Sequence, residues 1–118
     1  MTAFGPRPKK IKKISQKRVL AFWKEFADRA ELYFDILAEG DEESDDYLWL
    51  CGMVGKALLR CAPCGIMPPA FHFDLQREPV RLVFEHRGDA YLLAAGEALA
   101  AQFPPALQGR LTFCVAES

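Results

Sequence analysis

Apolar positions between Ser15 and Cys61 recur at steps of three and four residues, which is typical of helices with one buried face. The first run predicts one helix, with Ser15 as its N-cap and Gly40 as its C-terminal stop. Its buried face comprises Val19, Trp23, Phe26, Ala30, Tyr33 and Leu37. A second helix is predicted to begin after Ser44 and to end before Pro63. Its buried stripe comprises Leu50, Cys51, Val54, Leu58 and Cys61.

Strict alternation of apolar and polar residues then predicts a β-hairpin whose loop is residues 76–79. The opposed apolar pairs are Leu75 with Val80, Phe73 with Leu82, and Phe71 with Phe84. This register brings all the apolar positions to one face of the two strands. On the other face Asp74 lies opposite Arg81, so we expect a cross-strand ion pair there. His72 lies opposite Val83, where we expect no ionic partner.

The remaining pattern predicts a helix capped by Asp89 and ended by Pro104, followed by a strand through Leu111, Phe113 and Val115. The expected fold class is α+β, with elements in the order α-α-β-β-α-β. We expect a three-stranded, mainly antiparallel sheet whose aromatic face is covered by helices packed on that one side.

Charge is distributed unevenly, although the formal net charge of the 118 residues is only −1. Residues 1–24 carry a net charge of +8, whereas residues 25–46 carry −9. Lysines, prolines and few large apolar residues near the start predict a flexible basic arm at residues 1–14. Residues 15–118 are long enough for a single α+β domain with one core.

No apolar stretch is long enough for a membrane span, and no apolar segment typical of a secretion signal follows the basic start. We therefore expect a cytoplasmic protein whose four cysteines are reduced thiols.

Cys61-Ala62-Pro63-Cys64 has the spacing of thiol-disulfide oxidoreductases, but its position contradicts that chemistry. Cys61 is predicted to close a helix, where the helix dipole raises rather than lowers a thiol pKa. A zinc site is also disfavoured, because Cys51 and Cys61 are ten residues apart on one helix, about 15 Å. The acidic segment 41–46 lacks the central glycine of a calcium loop. We expect no catalytic residues, no metal ligands and no cofactor.

Four short segments carry a resemblance that extends over residues 19–116: Phe22-Trp23-Lys24-Glu25-Phe26, Phe71-x-Phe73, Leu82-Val83-Phe84 and Phe103-Pro104-Pro105-Ala106-Leu107. With these segments the chain resembles small bacterial α+β proteins that have no assigned activity. The resemblance implies a fold and no catalytic function.

The function expected from these observations is a non-enzymatic protein–protein interaction or small regulatory domain, able to form a homodimer. Its surface would use the polar sheet face, the basic arm and aromatic residues that lie off the best face of the first helix. The candidate residues are Lys9, Lys10, Lys12, Lys13, Phe22, Phe34, His72 and Arg81. Two alternatives stay open: association with nucleic acid through the basic arm, and a small-molecule or enzymatic pocket that a sequence does not display.

Overall fold

Helices and strands occur in the order predicted, and the first predicted helix is divided in two. The computed structural model describes residues 13–65 and 67–116, so the predicted arm falls mostly outside the described residues. The elements are α1 (Gln16–Asp28), α2 (Ala30–Glu39), α3 (Asp45–Cys61), β1 (Phe71–Asp74), β2 (Val80–Glu85), α4 (Ala90–Ala101), a 3₁₀ turn (Pro105–Leu107) and β3 (Leu111–Ala116). The α+β class is confirmed. No helix in the described ranges is both long and apolar enough to cross a bilayer.

Short polar side chains begin the helices where the sequence predicted. The hydroxyl of Ser15 accepts a hydrogen bond from the Arg18 amide, and Ser44 and Asp89 do the same for the first turns of α3 and α4. Gly40 ends α2 with a φ of 68°, a left-handed conformation that favours glycine. Each helix therefore starts or stops at a residue that satisfies otherwise unpaired backbone groups.

The sheet has β2 at its centre, with β1 and β3 as its outer strands. β1 and β2 pair antiparallel in the predicted register, with Phe71 opposite Phe84 and Asp74 opposite Arg81. Leu75 lies beyond the end of β1, in the turn. β3 runs parallel to β2, so the sheet is mixed. The parallel pair follows from the connection, because α4 carries the chain back to the end at which β2 began.

The helices cover the aromatic face of the sheet, as expected. Phe73 and Phe84 are buried there, and the Trp23 ring lies edge-on to Phe113 at a centroid distance of 5.5 Å. The Trp23 indole Nε1–H donates to the carbonyl of Leu99, 2.9 Å away. That carbonyl is in the last turn of α4, where backbone acceptors lack intrahelical partners. Trp23 thus joins α1, α4 and β3 through one side chain.

Candidate functional site

Two predictions for the polar face of the sheet are wrong: the Asp74–Arg81 ion pair and the absence of a partner for His72. Asp74 and Arg81 are opposite each other, but the Asp74 carboxylate lies 3.4 Å from Arg77 in the adjoining turn, a partner only three residues away. Arg81 forms no ion pair within the described part of the chain. His72, expected to have no partner, has its Nδ1 2.9 Å from Glu85 Oε2. Glu85 is two residues beyond Val83, so it is the diagonal neighbour of His72 on that face.

The two aromatic candidates of the predicted first helix lie on different helices, Phe22 on α1 and Phe34 on α2. Phe22 is 3% exposed and packs in T-shaped geometry on Trp23. Phe34 is half-buried, with the Arg110 guanidinium 4.5 Å above its ring. Neither ring forms an open aromatic patch. Lys13 is exposed, and Lys9, Lys10 and Lys12 lie outside the described residues.

The two cysteines of the Cys-x-x-Cys motif lie in different environments. Cys61 is buried in the last turn of α3, and burial raises the pKa of its thiol to about 11, although the charge of Arg18 opposes this. Cys64 is exposed and 3.7 Å from the Met67 carbonyl. All four cysteines are free thiols. Within residues 13–65 and 67–116 no three histidine, cysteine or acidic side chains are grouped as metal ligands.

The rates of alkylation should therefore differ between Cys61 and Cys64. At pH 8 a thiol with a pKa of about 11 is a thiolate in roughly one molecule per thousand. We expect iodoacetamide to modify Cys64 quickly and Cys61 only after unfolding, with the sites read by peptide mass spectrometry. Alkylation of the two cysteines at equal rates in the native protein would contradict the buried position of Cys61.

A groove of about 650 Å³ lies between α3 and β1. This α3–β1 groove is lined by Tyr47, Cys51, Gly52, Gly55, Lys56, Leu59, Pro68, Phe71 and His72. The Phe71 ring and Pro68 lie close to α3 at Gly55, where an added Cβ would be 3.5 Å from each of them. At Gly52 the groove is open, with no atom within 4 Å of an added Cβ. Its volume is within the roughly 300–1,000 Å³ of ligand clefts.

One wall of the groove is a sheet edge. The Glu85 amide donates to the Ala70 carbonyl, so Ala70 and Glu85 form a hydrogen-bonded pair. Along an antiparallel strand such pairs alternate with pairs that are not hydrogen-bonded. His72 and Asp74 therefore direct their backbone groups toward β2, whereas Phe71 and Phe73 direct theirs away from it. In the described residues the outward N–H and C=O groups of Phe71 and Phe73 have no hydrogen-bond partner. These groups can receive another strand.

The polar groups inside the groove are mostly neutral at physiological pH. Burial, followed by the neighbouring Cys51 thiol, raises the pKa of the Tyr47 hydroxyl. Burial also raises the pKa of Cys51, against the effect of its hydrogen bond with Tyr47. The exposed Lys56 ammonium has no ion-pair partner in the ranges that the structure describes. The groove therefore combines apolar walls with one unpaired positive charge.

Comparisons with protein-family models, curated proteins and solved structures find no match to this chain. Of the candidate interaction residues that the structure describes, only His72 lines the α3–β1 groove. The candidate residues did not include Gly52 and Gly55, two glycines in the middle of α3. Glycine is unfavourable there, and Gly55 is the one signal in the sequence that another segment approaches α3 closely.

Proposed function

We propose that this protein is a non-enzymatic interaction domain that binds an extended segment of a partner protein in the α3–β1 groove. The observation that carries the proposal is the unpaired outward backbone of Phe71 and Phe73 beside a large apolar groove. A strand added to such an edge gains main-chain hydrogen bonds, while adjacent pockets select its side chains. The edge supplies affinity and the groove supplies specificity.

The charge of the groove specifies the chemistry of the partner segment. Lys56 is the unpaired cation on the helical wall, and a carboxylate in the bound segment would neutralise it. Side chains that enter the groove must be apolar, because they meet Leu59, Phe71 and Pro68. The proposed occupant is therefore an extended, largely apolar segment with one acidic residue.

The raised pKa values of Cys51 and Tyr47 support a binding role. The half-buried Cys51 thiol is protonated and therefore a weak nucleophile, since the thiolate is the reactive form. The four free thiols also support our placement of the protein in a reducing compartment, the cytoplasm.

The test is selection from a displayed library of random peptides, followed by measurement of affinity for the strongest binder. Gly52→Trp should reduce that affinity at least about tenfold, because the indole would occupy the open part of the groove. Gly52→Ala is the matched control and should bind normally. Lys56→Gln should weaken binding of acidic peptides and leave their neutral analogues unaffected.

Amide hydrogen exchange distinguishes strand addition from other modes of binding. The Phe71 and Phe73 amides should exchange quickly in the free protein and become protected when the peptide is bound. Failure to select any peptide, or selected peptides that bind Gly52→Trp with undiminished affinity, would overturn the proposal. A peptide whose sequence matches the chain itself would identify a second copy as the occupant and would overturn the assignment to a different partner protein.

A further inference from the structure

A second cavity, of about 450 Å³, lies between α1 and the C-terminal end of α3. This α1–α3 cavity is lined by Arg18, Ala21, Phe22, Glu25, Ala57, Arg60, Cys61 and Pro63. Its floor is formed by the buried side chains of Phe22, Ala57 and Cys61. Its accessible apolar walls are Ala21 and Pro63, and its rim carries the three charged residues. None of these residues lines the α3–β1 groove.

The rim has one excess positive charge. Glu25 Oε1 accepts from Arg60 Nη2 at 2.9 Å, so these two charges neutralise each other. The Arg18 side chain has no ion pair or hydrogen bond among the residues that the structure describes. Arg18 lines the cavity together with Cys61, and its charge lowers the pKa of the Cys61 thiol against the larger effect of burial.

We propose that the α1–α3 cavity binds a small amphipathic anion, whose acidic head pairs with Arg18 and whose apolar body packs against Ala21 and Pro63. A guanidinium presents paired N–H donors that match a carboxylate, sulfonate or phosphate. The cavity is too small for a folded partner and has the size of ligand clefts. The acidic head and the apolar body are both required, because the site offers one cation and an apolar interior.

The test uses the full chain and the fluorescent probe 1-anilinonaphthalene-8-sulfonate, with decanoate and decyl phosphate as competitors. Arg18→Gln should raise the dissociation constant of the probe about tenfold or more, and Arg18→Lys should raise it less. Lys17→Gln is the matched control, because it removes the same charge from an exposed neighbour that does not line the cavity. Ala21→Leu, at an exposed lining position, should reduce binding by occupying space.

Competition identifies the head group, since the stronger of decanoate and decyl phosphate names the preferred anion. Equal losses of affinity in Arg18→Gln and Lys17→Gln would overturn the proposal, because they would show attraction to net charge alone. Competition by inorganic phosphate as strong as that of the decyl compounds would also overturn it. Gly52→Trp should leave probe binding unchanged, so the proposals for this cavity and for the α3–β1 groove are tested independently.

Discussion

Replacing Trp23 with alanine is expected to lower the free energy of unfolding by about 3–5 kcal/mol, the usual range for removing a large buried aromatic side chain. Trp23 is 2% exposed and lies edge-on to Phe103 at 5.2 Å and to Phe113 at 5.5 Å. Removing it would leave a cavity between α1, α4 and β3, which the surrounding helices can only partly fill. Urea denaturation followed by circular dichroism measures the loss.

Trp23→Phe distinguishes the contribution of ring packing to stability from that of the indole hydrogen bond. The indole Nε1–H is the donor to the Leu99 carbonyl, at the end of α4 where that acceptor has no amide of the helix to pair with. Phenylalanine retains most of the packing and leaves the carbonyl unpaired, so we expect an intermediate loss of about 1–3 kcal/mol.

Trp49→Ala is the matched control for Trp23→Ala. The Trp49 side chain is 43% exposed and contacts the Tyr33 ring at a centroid distance of 6.2 Å. Its removal should change stability by less than about 1 kcal/mol. Similar losses for Trp23→Ala and Trp49→Ala would contradict the central position of Trp23 in the core.

Local chemistry made much of the fold predictable. Ser44 and Asp89 are N-caps because their short side chains reach the amide three residues ahead, which requires no knowledge of tertiary structure. The hairpin register was predictable for a similar reason, since a shift by one residue would move Phe71 and Phe73 to the polar face.

The break between α1 and α2 could not be seen in the hydrophobic pattern. Arg29, with a φ of −106°, interrupts the helix, yet the apolar residues on either side continue at the same helical spacing. Phe26 and Tyr33 still meet across the break, with ring centroids 5.1 Å apart. The pattern reports which face is buried, and that face is the same for one long helix and for two short ones.

The parallel direction of β3 was predictable in principle, because a strand, a helix and a neighbouring strand usually form a parallel crossover. The α3–β1 groove was not predictable. Its walls are α3 and β1, and the loop between these two elements brings β1 alongside the helix. The shape of the groove therefore depends on the path of that loop. Gly55 acquires its meaning only from the approach of Pro68 and Phe71 to α3.

Gly96→Ala and Gly52→Ala should have opposite effects on stability, although both replace a helical glycine. Alanine favours the helix by about 1 kcal/mol over glycine at either position. At Gly96 the new Cβ would lie 2.8 Å from Val115 Cγ2 and 3.1 Å from Phe84 Cδ1, because α4 rests directly on the sheet. Overpacking of this kind costs about 1–3 kcal/mol. Gly52→Ala meets no atom within 4 Å and should stabilise the protein.

The difference between the two variants isolates the steric cost, because the helix-propensity gain is common to both and cancels. We expect Gly96→Ala to unfold at a lower urea concentration than Gly52→Ala, with a difference in unfolding free energy of about 1–3 kcal/mol. Val115→Ala should reduce the cost of Gly96→Ala, since it removes the nearest methyl group, and the coupling in a double-mutant cycle measures the contact. Equal stabilisation by both substitutions would show that α4 does not pack this closely on β2 and β3.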